Sequence, residues 1–237
     1  LDGNAASVFP VLKDLHQKMA LERDVNDDSS YNDAIEIVEG YILDGAEAYE
    51  AALGADRTAD ELNALMDAVV LSSLSGDEQT IAKIVALRDY ADQTNSQNAA
   101  NEASALANQA MASGNPYVFS DMSDSTSEYI PTTALSALSG MRHVWSNRYQ
   151  SATIAKGLNY YTFGMYSDLV ERDKTGEKIE YMNYPTKFKN SIYVPEDYAI
   201  EQLGIQCRPV AGTGLAVAVD EDIEQAAAAL LSALLAG

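Results

Sequence analysis

The sequence predicts a mainly α protein with a small β part. This is an α+β fold in which an antiparallel helical bundle precedes a long helix, a small antiparallel sheet and a C-terminal helix. Three observations predict it. Apolar side chains recur at helical spacing through the first 112 residues, short runs after residue 173 alternate in polarity, and an alanine-leucine run closes the chain behind Asp220, Glu221 and Asp222.

The helices are read from their periodicity and their start signals. Val8, Leu12, Leu15 and Met19 share a face after Pro10, a residue that a first helical turn tolerates. A polar connection, Asp24 to Asn32, follows, in which Ser30 and Asp33 can cap the next helix. That helix sets Ile35, Val38, Ile42, Tyr49 and Ala52 against an acidic face of Glu36, Glu39, Glu47 and Glu50. Thr58 with Glu61, and Ser75 with Glu78, have capping-box spacing and mark two further helix starts. The second of these helices extends toward Met111, with a possible break in the all-polar stretch Gln93 to Asn98 and an end that relies on Ala99, Ala103 and Ala110.

Residues 113–128 turn to Gly, Pro, Asp and Ser, as in a linker or surface loop between units at 1–112 and 129–237, which can also pack as one domain. From Pro131 the pattern Leu135, Leu138, Met141, Trp145, Tyr149, Ala152, Leu158, Met165 and Leu169 predicts a helix to about Arg172. Asp173 to Gly176 reads as a hairpin turn. Short strands are expected at Ser191 to Val194, Gly204 to Val210 and Leu215 to Val219.

Charge separates the two halves. The chain carries 36 acids against 15 bases, a formal charge of −21, which repels phosphate backbones and anionic lipid; nucleic acid is therefore not an expected partner. Residues 1–112 hold 21 acids and 6 bases, whereas 129–210 hold 8 and 9, together with nine of the fourteen tyrosines. No apolar run reaches the ~20 residues of a membrane span, so direct membrane insertion is not expected. The start at Leu1, with leader removal as the simpler account, gives an expectation of an exported or organelle-lumen protein.

Motifs for chemistry are sparse. Asp24, Asn26 and Asp28 begin the alternation of a calcium loop, but Ser29 replaces its glycine and Ile35 its bidentate glutamate. Two histidines and one cysteine leave little for zinc, and no histidine stands three residues after a glutamate as a di-iron bundle requires. Cys207 beside Arg208 could lower a thiol pKa, yet a lone cysteine in a strand is commonly a small core residue. Gly212 and Gly214 lack the third glycine of a dinucleotide turn. No cofactor and no catalytic residue emerge from these patterns.

What stands out is a cationic and aromatic cluster within an acidic protein: Arg142, His143, Trp145, Arg148 and Tyr149, extended by Tyr160, Tyr161 and Phe188. Tyr, Trp and Arg are the types that dominate interface energetics. These eight residues are the expected partner-binding site. The chain is accordingly expected to be a non-catalytic accessory or structural subunit that docks on a larger protein assembly through 129–210, or that forms a homo-oligomer. The alternatives are a small-ligand carrier or enzyme with a pocket between bundle and sheet, lined by Trp145, Tyr149, Tyr160 and His143, and a self-assembling virion or filament subunit.

Overall fold

The structure is a computed structural model and describes residues 5–26, 31–32, 34–42, 56–122, 128–164, 169–172, 177–180 and 185–236. Its helices are α1 (Ala5–Asn26), α2 (34–42), α3 (Ala59–Asp67), α4 (Gly76–Thr94), α5 (Gln97–Ser113), α6 (Thr132–Leu138), α7 (Glu196–Leu203) and α8 (Glu221–Ala236). The strands run from β1 (Val118–Ser120) and β2 (Tyr129–Pro131) through β3 (Arg142–Ser146), β4 (Ser151–Lys156), β5 (Asn159–Gly164), β6 (Leu169–Arg172), β7 (Glu177–Glu180), β8 (Thr186–Phe188) and β9 (Ser191–Pro195) to β10 (Gln206–Val210) and β11 (Leu215–Val219). They form three antiparallel sheets, in the orders β1-β11-β10, β2-β9-β8 and β3-β4-β5-β6-β7. The α+β class is thus as the sequence predicts.

Local signals set most helix ends. Both capping boxes close reciprocally: the Thr58 N–H donates to Glu61 Oε2 at 2.9 Å and the Ser75 N–H to Glu78 Oε2 at 2.7 Å, while each cap hydroxyl accepts from its glutamate N–H at 3.3 Å. The long helix expected from Asp77 breaks where its all-polar stretch allows. Asn95 takes a left-handed conformation (φ +57°) and the Ser96 hydroxyl accepts from the Ala99 N–H, starting α5. Helix α1 begins at Ala5, so Pro10 lies inside it rather than in its first turn. On α2, Ile35 and Val38 are buried as expected, and His16 of α1 meets Glu39 at 2.8 Å, whereas Leu15 is exposed. Ser30, Asp33, Tyr49 and Ala52 lie outside the described residues.

Packing is layered around the β1-β11-β10 sheet. Strand β11 is buried on both faces: Leu215, Val217 and Val219 join a core with α3, α4, α5 and α8, while Ala216 and Ala218 join a second core with α6, α7 and strands of the other two sheets. On the helical side, Ala99, Ala103 and Ala107 of α5 have no exposed surface, which lets α5 lie close to α4. Helix α8 packs along α4 and is capped by Asp220, whose carboxylate accepts from the Ile223 N–H at 3.0 Å. Within 113–128, expected as a linker or loop, Tyr117, Val118 and Phe119 join these cores and β1 pairs with β11, while 123–127 lie outside the described residues.

The main correction concerns 132–172. The long helix is absent; α6 stops after Leu138 and the chain turns into the meander β3 to β6. Gly140 (φ +62°) and Gly157 (φ +64°) hold left-handed backbone that ends α6 and turns β4 into β5. The true period is two: Ala152 stands opposite Phe163 and Ile154 opposite Tyr161, and all four are buried on one face. The β-branched and aromatic residues Thr153, Ile154, Tyr160, Tyr161, Thr162 and Phe163 favour that choice. Strands β6 and β7 pair on either side of the expected turn, with Arg172 opposite Glu177, while 173–176 lie outside the described residues; the three later strands appear within two residues of their expected limits.

Candidate interaction site

The expected partner-binding residues divide into three groups. Arg142, Trp145, Arg148 and Tyr149 are exposed on β3 and the turn after it, with Trp145 38% and Tyr149 70% accessible. Tyr161 belongs to the interior instead, and Phe188 is partly buried against the second core. Tyr161 packs edge-on to Tyr198 at 6.3 Å, and Phe188 edge-on to Tyr193 at 5.6 Å on β8, in a different sheet. Tyr160 and His143 lie between. The register alternates their side chains onto opposite faces of the β3–β7 sheet, so they do not line a common pocket. Trp145 and Tyr149 share no helix face either; one is in a strand and the other in a turn.

The exposed group is held in place by local contacts. The Trp145 indole N–H donates to Asn147 Oδ1 at 2.8 Å, and the Arg148 guanidinium lies 5.3 Å from the Tyr149 ring centroid. The Tyr149 N–H donates to the Ser146 hydroxyl at 3.3 Å, and Gln150 closes the turn at φ +47°. Val144 at 45% and Leu158 at 71% accessibility add apolar surface that helical spacing could not reveal, since it arises from strand alternation and a β turn. His143 is half-buried, with Nε2 3.0 Å from the Thr132 hydroxyl; desolvation pushes its pKa down, so near neutral pH the ring adds no charge. The cations of the patch are Arg142 and Arg148.

Strand β3 is also an open edge. It terminates its sheet, spans five residues without proline, and no strand among the described residues pairs with its outer side. The opposite edge of that sheet, β7, is four residues long and carries Glu177, Lys178 and Glu180, and the edges of the other two sheets are shorter or blocked. Strands β1, β2 and β8 have three residues each. On β10 the outward Cys207 N–H donates to Glu196 Oε1 at 2.7 Å, and two residues on, where the next outward N–H would fall, stands Pro209.

The remaining chemical candidates become structural. Cys207 is buried, and burial, with Glu128, Glu196 and Asp121 around it, raises its thiol pKa far above the usual range. Arg208 does not activate it, because strand alternation turns the guanidinium to the other face, where Nη2 meets Glu224 Oε1 at 2.8 Å. Cys207 is therefore expected to resist iodoacetamide in the native protein and to react only as the protein unfolds, so that its labelling rate in a urea series follows the unfolded fraction; rapid labelling in native buffer would contradict this. Of the calcium-like residues, Asp24 and Asn26 end α1, and Asp28 lies outside the described residues. Among the described residues no group of three His, Cys, Asp or Glu side chains is placed to hold a metal ion, and no helix is long and apolar enough to cross a membrane.

Compared with protein-family models, with curated proteins and with solved structures, the chain finds no match in any of the three.

Proposed function

We propose that this chain is a non-catalytic subunit that docks on a larger protein assembly by lending β3 as an edge for a strand of its partner. The observation that carries this reading is the coincidence of an unpaired five-residue edge with the exposed Val144, Trp145 and Tyr149 and with two arginines. Strand addition takes its affinity from main-chain hydrogen bonds and its specificity from alternate side chains. Trp145 and Val144 project to opposite faces there, so a partner strand would meet an apolar contact on each. Arg142 and Arg148 suit acidic side chains beside that strand, whereas the helical half of the protein, rich in carboxylates, would repel the same partner and so orient its approach.

The test is the triple substitution R142A/W145A/R148A. It should weaken capture of the native partner by about 30-fold or more, as loss of an interface hot spot does, and leave far-UV circular dichroism unchanged. In the wild-type complex, hydrogen exchange at 142–146 should slow. Undiminished capture by the variant would defeat the choice of site. Light scattering on the isolated chain separates docking from self-assembly, which would give large homotypic particles.

A further inference from the structure

A second feature of the fold has a different chemistry. Between α4 and the β10–β11 hairpin lies a cleft of about 140 Å³. Its floor is apolar, formed by Ile84, Val85, Val210 and Val217, and its rim carries Asp89 and Arg208, with Arg88 and Asp92 beside them. The cleft lies where α4 crosses the helix-facing side of the sheet at the β10 edge, beside which no further strand stands among the described residues.

The arginines at the rim are already engaged. Arg88 Nη2 is 3.3 Å from Asp92 Oδ1, and Arg208 places Nε and Nη2 at 2.9 and 2.8 Å from Glu224 Oε1. Asp89 is different. It is half-buried, and among the described residues no donor lies within hydrogen-bond or ion-pair distance of its carboxylate. The five charged groups sum to −1 in a protein of net charge −21. Asp89 is thus the one acid of the rim that no arginine pairs among the described residues, and it stands above an apolar floor.

We infer that this cleft is a binding site for a small primary alkylammonium ligand, whose ammonium donates to Asp89 and whose chain of about four to six carbons lies on Val85, Val210 and Val217. The size follows from the volume: an apolar cavity of about 150 Å³ holds a single benzene ring. An ammonium offers three donors on a compact head, which suits one carboxylate better than the planar fork of a guanidinium. A carboxylate ligand would have to displace Asp92 or Glu224 from an arginine. Either a free amine or the side chain of a lysine supplies this chemistry.

Burial also pushes the Asp89 pKa up, Arg208 and Arg88 pull it down, and Glu224 and Asp92 raise it. A group whose folded pKa is raised costs stability where it is ionised, and that cost disappears as pH falls through the folded value. Asp89→Asn should therefore hold or raise the melting temperature, as at other sites where function is kept at the expense of stability.

The experiment is a methyl-resolved NMR titration of the full chain with n-butylammonium. Saturable shifts at Val85, Val210 and Val217, a downward move of the Asp89 titration midpoint, and at least tenfold weaker binding by Asp89→Asn are expected. Binding should weaken as the solution is acidified through that midpoint. n-Butanol or butyrate binding as tightly as n-butylammonium, undiminished binding by Asp89→Asn, or the absence of any saturable shift would overturn the assignment. Nα-acetyl-lysine methylamide binding as tightly as n-butylammonium assigns the site to a protein lysine; its exclusion while n-butylammonium binds assigns it to a free amine.

Discussion

Replacing Phe163 by alanine is expected to destabilise the protein by about 3–5 kcal/mol, the range for deleting a buried aromatic side chain. Phe163 has no exposed surface, stands opposite Ala152 across β4 and β5, and packs edge-on against Tyr198 at 5.5 Å. Tyr198 is itself fully buried on α7, so this pair joins the five-stranded sheet to the rest of the second core. Alanine would leave a cavity between two rigid elements, which limits collapse. Urea unfolding followed by Trp145, the only tryptophan, reads the sheet, and far-UV circular dichroism reads mainly the helices. Both midpoints should fall together, because the two cores share β11 and neither can lose it alone. A midpoint shift in fluorescence alone would mean that the meander melts as a separate unit.

The complementary substitution is Leu230→Ala on α8, expected to cost about 2–5 kcal/mol. Leu230 is fully buried in the helical core, where α8 lies along α4. Hydrogen exchange should accelerate at the Ile81, Ile84 and Leu87 amides of α4, more than 140 positions away in the chain, as well as in α8 itself. Exchange that rises only within α8 would mean that the C-terminal helix frays without unfolding its neighbours. In either variant, the binding proposed at β3 should return under strongly folding conditions, since the substituted side chains do not reach the exposed edge.

Local chemistry made much of the fold legible. A capping box is written in four residues, and both boxes closed as their spacing required. The break at Asn95, the strands at β9 to β11 and the acid-capped final helix also rest on neighbours in sequence. The long helix failed because apolar residues at 135, 138, 141, 145, 149 and 152 fit a 3.6-residue period as well as they fit a strand, a turn and another strand. Gly140 and Gly157 were the available warnings, but a glycine's left-handed backbone is not visible before the fold is known.

The candidate site followed the same division. Its residue types were legible, because arginine, tryptophan and tyrosine in a neutral stretch of an acidic chain are a compositional fact. Their grouping was not. Tyr161 turned inward and Phe188 partly so, burial pushed the His143 pKa down, and Val144 and Leu158 came to the surface, since exposure is decided by which strand lies opposite.

By itself the sequence determined the class of the protein, the ends of its best-capped helices, the segregation of acid from aromatic residues and the absence of a familiar catalytic pattern, all of which depend on composition or on residues a few positions apart. Tertiary structure alone decided that β3 ends its sheet, that Cys207 is buried, that Arg208 belongs to Glu224, and that Asp89 stands at the rim of a cleft. The reason is physical. An edge, a buried charge or a cleft is a relation between segments far apart in the chain, and it exists only when packing has chosen which of them meet.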